Sequence, residues 1–570
     1  MSKIIYICPR NLDAGTSLMA KIQSISNRIL PDNISAAAPK VLNHEGIVVG
    51  IFNPVGSVMV CDGSVLLGSA SEKNDWYIPF SGQLDGTYAL FRGNASHVEV
   101  LSDVVASRTI WYYFDDSIFI ASTSQMAITS ILGMFEFNQS VVPWMLSTGT
   151  LGPSGCWDRR LVRLDGESSV VLDRMNWQIK VNKNEVLFSA KDMTGRNAQE
   201  PLKQLIRDSV ISLNLKHSDW VLPLSGGYDS RAILLCLLSD ARIMQTITWG
   251  LGSSLDEKYN DARVANDLAN YFKLPHTYYE TDLAEESIER IINRFLVCGE
   301  GQVDHISGYM DGMKIWKTLY DNGVCGIIRG DEGFGWMPVA NEMDTRLSLG
   351  MPLWSDYSNL RPLEEFGLPK HEIPFVYHRK TGESLEGWRD RLYHQIRIPL
   401  VLAALNDIKS AYVEIVNPLL SKKIIYYVRE MPDHLRTDKK IFKDIVRSWS
   451  PKIDYAKYAA VSTKENVLQS KPVVDFLQQE LSSAITDAIF PREFIDYIRA
   501  GIDTIEDNPN PSRHLGFRKI IKSLIPKGLR SSVKNLAYTR PEMDFNTLAF
   551  RVYLISHMNK TFSSSLEKNK

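Results

Sequence analysis

Apolar and polar positions are patterned differently in the two halves of the chain. From about residue 47 to residue 190, short apolar or alternating runs such as IVVGIF, TYALF and HVEVLS are separated by Gly, Asn and Asp. Runs of this length with turn residues between them are typical of antiparallel strands. The first half is therefore predicted to be β-rich, with its strands stacked into sheets.

The period of the pattern changes from about residue 200. PLKQLIRDSVISLNL has the spacing of a helix, WVLPL that of a buried strand, SRAILLCLLSD that of a second helix and MQTITWG that of a second strand. Strands that alternate with helices indicate a parallel, doubly wound sheet. After about residue 370 the pattern is mostly helical.

The sequence thus predicts an α/β protein with two domains, and the polar stretch KDMTGRNAQE marks the boundary between them. Residues 1–195 are predicted to form a β-rich sandwich. Residues 196–570 are predicted to form a doubly wound parallel-sheet domain, with a helical C-terminal part from about residue 450. A chain of 570 residues is long enough for roughly two or three hydrophobic cores.

Composition limits the classes of function. The formal net charge of −2 gives no reason to expect a nucleic-acid or membrane-surface partner. The six cysteines are scattered and form no Cys-x-x-Cys pair, so neither a zinc site nor a disulfide framework is suggested. The apolar stretch near the start is too short for a signal peptide, and no run approaches the ~20 apolar residues that span a bilayer. We therefore expect a cytoplasmic protein without a membrane partner.

The strongest chemical signal follows the strand WVLPL, where Ser225-Gly226-Gly227-Tyr228-Asp229-Ser230 opens a helix. Two glycines let the backbone approach a ligand closely, and the N–H groups at a helix start attract anions. Ser225 and Ser230 add hydroxyl donors, and Asp229 places a carboxylate where a phosphate-bound Mg²⁺ would lie. The chain lacks a Gly-Lys-Ser/Thr sequence here, so the predicted ligand is a pyrophosphate group and not a transferring γ-phosphate.

This segment resembles the pyrophosphate loop of the N-type ATP pyrophosphatases, and among them the chain is most similar to the asparagine synthetase family. Four further segments resemble that family in the expected order: TITWG (246–250), IIRGDEGFGW (327–336), VEIVNPLL (413–420) and KKIFKDIVRSWSP (439–451). In the first half, GQLDGTYALFR and the run that begins with LSDVVASRT resemble the glutaminase half of asparagine synthetases more weakly. The resemblance covers most of residues 47–450.

The resemblance implies ATP and Mg²⁺ as cofactors and suggests site residues. It makes Asp331 the second Mg²⁺ carboxylate, which faces Asp229, and sets Lys439 on the family's catalytic lysine, with Lys440 as the next choice. It also sets Glu414 on a family glutamate and places the adenine near the strand that ends at Gly250. The residues predicted to bind the nucleotide are Leu224, Ser225, Gly226, Gly227, Asp229, Ser230, Thr248, Trp249, Gly250 and Gly330.

Departures from the family change the expected activity. A glutaminase of this type needs an N-terminal nucleophilic cysteine, whereas position 2 is Ser2, and Cys8 is predicted to be a buried strand residue. We therefore expect no glutamine hydrolysis and interpret residues 1–195 as a degenerate, Ntn-hydrolase-like glutamine amidotransferase domain. Relatives such as β-lactam synthetase and the lasso-peptide cyclases show a similar loss. Ile328 stands where the asparagine synthetases have a glutamate and β-lactam synthetase has a tyrosine, which leaves Glu414 as the candidate general base.

The expected function is that of an amide-forming ligase. It would adenylate a carboxylate with ATP, release pyrophosphate and join the carboxylate to an amine, on a small molecule or a peptide, within one molecule or between two. One alternative is sulfur transfer or tRNA-base modification through adenylation, although Cys236 lies among leucines and is interpreted as a core residue. The other is a nucleotide-binding partner protein that has lost catalysis, against which Asp229, Asp331 and Lys439 argue.

The basic stretch 512–540 has two interpretations. It could bind an acidic partner, a peptide leader or RNA, but we favour an amphipathic helix that packs its apolar residues inward. His276 and His305 are isolated and are predicted to be structural. We expect no nucleic-acid partner, and the β-rich half could provide the face of a homodimer.

Overall fold

The computed structural model describes residues 3–11, 15–54, 58–71, 74–215, 219–483, 486, 488–503 and 540–567. Within them, two antiparallel sheets occupy the first half of the chain, and a parallel sheet flanked by helices occupies the second. The predicted mixed α/β class is confirmed, whereas the assignment of the second half to the ATP pyrophosphatases stays a prediction. Ser2 and all of the basic stretch 512–540 except Arg540 lie outside the described residues.

The two antiparallel sheets have six strands each, in the orders β10-β8-β9-β1-β3-β2 and β12-β11-β7-β6-β5-β4. Their strands are β1 (Lys3–Pro9), β2 (Lys40–His44), β3 (Ile47–Phe52), β4 (Met59–Cys61), β5 (Ser64–Ala70), β6 (Gly86–Gly93), β7 (His97–Ser102), β8 (Trp111–Phe114), β9 (Ile118–Ser122), β10 (Val162–Arg163), β11 (Ser168–Asp173) and β12 (Gln178–Lys183). The apolar runs that alternate along the first half therefore form the predicted strands.

The parallel sheet has the order β15-β14-β13-β16-β17. Its strands are β13 (Trp220–Pro223), β14 (Gln245–Gly250), β15 (His276–Glu280), β16 (Gly326–Ile328) and β17 (Glu414–Val416). The chain adds strands on one side of β13 and then crosses to the other side at β16. This reversal of strand order places a crevice between the carboxyl ends of β13 and β16, which is where ligands bind in sheets of this kind.

Helices cover both faces of the parallel sheet. Among all helices of the described chain, those that precede β16 in the sequence are α1 (Gly15–Ile29), α2 (Gln125–Leu132), α3 (Val141–Thr148), α4 (Gly195–Ile211), α5 (Asp229–Ser239), α6 (Asp261–Tyr271), α7 (Ile288–Gly299) and α8 (Lys314–Asp321). Those that follow it are α9 (Glu342–Ser348), α10 (Leu385–Leu392), α11 (Ala403–Lys409), α12 (Lys422–Arg429), α13 (Asp433–Arg436), α14 (Lys440–Trp449), α15 (Lys464–Leu468), α16 (Lys471–Glu480), α17 (Arg492–Arg499) and α18 (Phe545–Glu567). A π-helical stretch, Tyr393–Leu402, joins α10 to α11.

The period-two alternation of strands decides which core each residue joins. In β1, Ile4, Tyr6 and Cys8 face the second antiparallel sheet, which confirms Cys8 as a buried strand residue. Ile5 and Ile7 face the opposite way and join a cluster that also contains Val221 and Ile327 of the parallel sheet. The antiparallel and parallel parts of the chain therefore share one hydrophobic core.

The opposite face of the parallel sheet has its own core. Leu222, Ile328 and Val416 pack there against apolar residues of α4, α5 and α14. Cys236 of α5 is buried in the same cluster, as predicted, and burial raises its pKa to about 12. Since both faces of its strands are covered, the sheet is doubly wound as the sequence predicted. No helix of the described residues is both long and apolar enough to cross a membrane.

Buried ion pairs also join the two halves. Glu414 begins β17 and is fully buried, and its carboxylate accepts a hydrogen bond from the Arg108 guanidinium of the first half. Lys3 Nζ lies 2.9 Å from Glu300 Oε1, and both side chains are buried. Because a buried charge is costly without its partner, these contacts hold the halves in one relative position.

We predict that Arg108→Met destabilises the protein by about 3–5 kcal/mol, because it leaves the buried Glu414 carboxylate without its guanidinium partner. Urea unfolding of the full chain measures the loss. Arg159→Met is the matched control: that side chain is 69% exposed and pairs with Glu136, so the expected loss is at most about 1 kcal/mol. Equal losses in the two variants would contradict the prediction.

Candidate functional site

A cavity of about 290 Å³ lies at the carboxyl ends of β14, β13 and β16, at the crevice that the strand order creates. Eight of the residues that the sequence predicted for the site line it: Leu224, Ser225, Asp229, Ser230, Thr248, Trp249, Gly330 and Asp331. Asp261, Arg329 and residues 459–461 also line it. The structure thus brings together two loops and a strand end that are far apart in the sequence.

The loop after β13 is organised by its own side chains. The Ser225 N–H donates to Ser230 Oγ at 3.0 Å, and the two serine hydroxyls lie 2.8 Å apart. The Gly227 N–H donates to Ser225 Oγ at 3.3 Å. Tyr228, at the N-cap position of α5, makes no side-chain capping hydrogen bond. The start of α5 therefore lacks the side-chain cap that usually satisfies the first N–H groups of a helix. Helix starts that bind anions leave these N–H groups open in the same way.

Gly226, Gly227 and Gly250 do not line the cavity, although the sequence assigned them to the nucleotide. A Cβ at Gly226 would lie 2.7 Å from Ala456 Cβ, and one at Gly250 would lie 2.5 Å from Ala460 Cβ. These distances are too short for real Cβ contacts. The glycines at 226 and 250 therefore allow a neighbouring segment of the chain to pack closely on the loop and on β14.

That segment, residues 453–461, is called the strap here, and sequence reasoning missed it. The Arg231 guanidinium, which is buried, donates to the carbonyl oxygens of Ile453 at 3.0 Å and Asp454 at 2.7 Å. The same guanidinium lies 3.9 Å from the ring centroid of Tyr455. The Leu251 N–H donates to the Ala460 carbonyl oxygen at 2.8 Å. The strap is thereby fixed across one side of the cavity.

Lys439 joins the loops that follow β13 and β16. Its Nζ lies 3.0 Å from Asp229 Oδ2 and 2.8 Å from Glu332 Oε1. Burial alone would lower the pKa of Lys439, but the Glu332 and Asp229 carboxylates outweigh it and raise that pKa. Lys440 is exposed at the start of α14. The structure therefore favours Lys439 over Lys440 as the lysine of the site.

Glu332 is a site residue that the sequence analysis did not assign. Its side chain is buried, and burial raises its pKa against the opposing effect of Lys439. Its Oε2 accepts the Phe334 N–H at 2.6 Å, which orients the carboxylate. The one available signal was its position directly after Asp331 in the segment GDEGFGW.

The backbone beside Lys439 is unusual. Asp438 and Lys439 have φ values of 59° and 54°, in the left-handed region that non-glycine residues seldom adopt. The Asp438 N–H donates to the Trp336 carbonyl oxygen at 2.8 Å, which helps to hold this conformation. A left-handed backbone conformation at a non-glycine residue persists where the surrounding structure imposes it, and it occurs often at functional sites.

Asp331 is oriented from two sides. Its Oδ1 accepts a hydrogen bond from Arg329 Nη2 at 3.1 Å, and its Oδ2 accepts one from Asn406 Nδ2 at 2.7 Å. Asn406 lies on α11 and is buried. Nothing in the local sequence connects it to the site, because α11 reaches Asp331 only in the folded chain.

Two carboxylates of the site face the same cavity. In the parts of the chain that the structure describes, no group of three or more His, Cys, Asp or Glu could hold a metal ion alone. Asp229 and Asp331 nevertheless line one cavity. Carboxylate and phosphate oxygens are the ligands that Mg²⁺ takes in phosphate-binding sites, with one or two carboxylates from the protein.

Glu414 does not line this cavity, which corrects the expectation that it acts there as a general base. Its carboxylate is fully buried, is bonded to Arg108 and also accepts the Ile415 N–H at 2.8 Å. Ile328 points into the hydrophobic cluster below the sheet. Glu414 thus serves the contact between the halves.

The two histidines singled out in the sequence have local partners. His276 Nδ1 lies 2.9 Å from Thr246 Oγ1, and burial lowers the pKa of His276. His305 Nδ1 lies 3.1 Å from the Asp304 carboxylate. Both contacts agree with structural roles.

Comparisons with known proteins add little. No family model matches the chain, and no curated protein matches it. A structure described as the allosteric regulatory enzyme of purine biosynthesis is similar over 49% of this chain and 80% of its own, at 10% identity and a TM-score of 0.20. Glutamine phosphoribosylpyrophosphate amidotransferase from B. subtilis, complexed with ADP and GMP, is similar over 48% of this chain and 65% of its own, at 10% identity and a TM-score of 0.19. Such low TM-scores carry no argument, so the site is interpreted from its own geometry.

A buried histidine supports the segment that carries Asp331 and Glu332. His394 Nε2 lies 3.0 Å from the Gly333 carbonyl oxygen, and Arg429 Nε donates to His394 Nδ1 at 3.4 Å. These partners match a neutral imidazole with its proton on Nε2. Burial and the nearby Arg429 lower the pKa of His394 from 6.5 to about 3.

We predict that His394 makes the protein less stable in acid. Its pKa is lower in the folded than in the unfolded state, so the unfolded chain takes up a proton as the pH falls below 6.5 and the folded chain does not until about pH 3. Each unit by which the pH falls within that window then lowers the free energy of unfolding by up to about 1.4 kcal/mol. Urea unfolding between pH 7 and pH 4 should show a shallower pH dependence in His394→Gln. An unchanged slope would contradict the prediction.

Proposed function

We propose that this protein is an AMP-forming ligase that uses ATP to adenylate a carboxylate and then joins that carboxylate to an amine. The observation that carries the proposal is the combination of two features on the cavity wall with a third directly behind it, where Lys439 contacts the wall residue Asp229. These are the serine and glycine loop at the start of α5, the carboxylate of Asp331, and Lys439 held between Asp229 and Glu332.

The loop supports a pyrophosphate ligand. Its hydroxyls at Ser225 and Ser230 lie on the cavity wall, and the start of α5 offers N–H groups and the positive end of the helix dipole. A cavity of about 290 Å³ is at the lower end of the range of small-molecule sites. Thr248 and Trp249, at the end of β14, line the same cavity and would contact the nucleoside part.

Asp229 and Asp331 would hold a Mg²⁺ ion that accompanies the nucleotide. That ion would neutralise charge on the phosphate oxygens. Asp331 is already oriented for such a role by Asn406. Asp229 shares its carboxylate with Lys439, which places a positive side chain beside the loop.

The reaction would have two steps. In the first, a carboxylate oxygen forms a bond to the α-phosphorus of ATP, the bond from that phosphorus to the bridging oxygen breaks, and pyrophosphate leaves. Lys439 would stabilise the negative charge that develops on the phosphate oxygens, and Glu332 keeps Lys439 protonated. In the second, an amine nitrogen attacks the acyl carbon and loses a proton, and AMP leaves. With Glu414 away from the cavity, we assign no general base to that proton.

The test is ATP turnover by the full-length protein with Mg²⁺, with AMP and pyrophosphate separated by chromatography. Ammonia, glutamine and extract of the producing cell are separate additions, because the carboxylate substrate is unidentified. We expect AMP and pyrophosphate with extract and no consumption of glutamine. ADP and phosphate as products would refute the proposal, and absence of ATP binding would favour a protein without this activity.

We predict that Lys439→Ala lowers AMP formation roughly a hundredfold or more, because the positive charge beside the α-phosphate is lost. ATP binding, measured by calorimetry, should change far less, since the loop at residues 225–230 is intact. Lys440→Ala is the matched control, because Lys440 is the next residue, carries the same charge and is exposed. Normal turnover in Lys439→Ala would refute the role of this lysine.

A further inference from the structure

Arg329 lines the cavity but has no role in the reaction derived above. It follows β16 directly, and its backbone N–H donates to the Val416 carbonyl oxygen at 2.8 Å, which fixes its position at the end of the sheet. Its guanidinium donates to Asp331 Oδ1 at 3.1 Å. Among the described residues, nothing accepts a hydrogen bond from its buried Nε. Arg329 therefore lines the cavity with a guanidinium whose recorded hydrogen bond to a side chain is the one to Asp331.

The charges on the cavity wall are unbalanced. Asp229, Asp261 and Asp331 line it, and among the described residues that do so Arg329 is the one with a positive side chain. The Lys439 charge lies behind Asp229 and is shared by two carboxylates. An anionic substrate that approaches from the β16 side would therefore meet the guanidinium of Arg329 as its source of positive charge.

A second cation lies close to Arg329 in the protein interior. Lys409 is buried there, and its Nζ donates to the Leu405 carbonyl oxygen at 2.7 Å. Burial and the charge of Arg329 lower the pKa of Lys409. The anionic partner of Arg329 is thus Asp331, on the cavity side. A metal ion on Asp331 would take up part of the negative charge that Arg329 faces, and an anionic ligand in the cavity would then be a further partner for the guanidinium.

We infer that Arg329 is the oxyanion-binding residue on the β16 side of the cavity. The inference rests on the proposed function, which supplies two oxyanions at this point: the α-phosphate of the nucleotide and the carboxylate that reacts with it. A guanidinium suits both, because its paired N–H groups match two oxygens of a phosphate or a carboxylate. Arg329 would thus select an anionic second substrate and bring it against the nucleotide.

The test compares full-length wild-type protein with Arg329→Met, which removes the charge and keeps much of the side-chain length. Calorimetry with Mg²⁺ gives the affinities for ATP, AMP and inorganic pyrophosphate. Saturation-transfer NMR of the methyl signal gives acetate binding to the AMP-loaded proteins. Arg263→Met is the matched control, because Arg263 is an exposed arginine of α6 that pairs with Asp267. Thermal unfolding shows whether Arg329→Met is still folded. Arg329→Lys restores the positive charge, so partial recovery of binding in that variant attributes the loss to charge and not to misfolding.

We expect pyrophosphate affinity to stay within about twofold in Arg329→Met, because the loop at residues 225–230 binds it. A loss of AMP affinity of roughly tenfold or more identifies the α-phosphate as the oxyanion. Unchanged AMP affinity with loss of the acetate signal identifies the carboxylate.

Two results would overturn the inference, and they differ in what they say about the proposed function. Equal AMP affinity and equal acetate signal in wild type and Arg329→Met refute the role of Arg329. If wild type still binds ATP and pyrophosphate, the proposed function survives that result. If wild type binds neither ATP nor pyrophosphate, the proposed function fails and the inference fails with it.

Discussion

The contact of Lys439 with Asp229 and Glu332 is the interaction on which the candidate site depends. It joins three segments that are far apart in the sequence: the start of α5, the loop after β16 and the start of α14. Lys439 is largely removed from water, and the paired carboxylates compensate for its lost hydration. The left-handed backbone at Asp438 and Lys439 shows that the chain accepts local strain to place this charge.

The first half of the chain supports the second through a shared core and through buried charge. The cluster that contains Ile5 and Ile7 continues to Val221 and Ile327 of the parallel sheet. Arg108 reaches Glu414 at the start of β17. The sheet edge next to β16, the strand that precedes Asp331, is therefore supported by the antiparallel part. This gives the first half a structural role that does not depend on any activity of its own.

Much of the fold and part of the site could be predicted from sequence. The strand at Trp220–Pro223 and the helix at Asp229–Ser239 were predictable because an apolar run, a glycine turn and a second apolar run follow one another directly. Glu414 was assigned from its resemblance to a family glutamate, and it was misplaced because such a local match is the same whether the side chain faces a cavity or a buried arginine. Asn406 could not be found, since its contact with Asp331 spans 75 positions of the chain.

The sequence alone determined the alternation of strands and helices, the serine and glycine content of the loop at residues 225–230 and the acidic character of the segment around Asp331. These properties are local, because they depend on the spacing of apolar residues and on side chains a few positions apart. Only the tertiary structure decided that Lys439 and not Lys440 pairs with Asp229, that the end of the strap lines the cavity, and that Arg329 lines it as well. Those outcomes depend on the order of strands in the parallel sheet, which brings distant loops to one crevice.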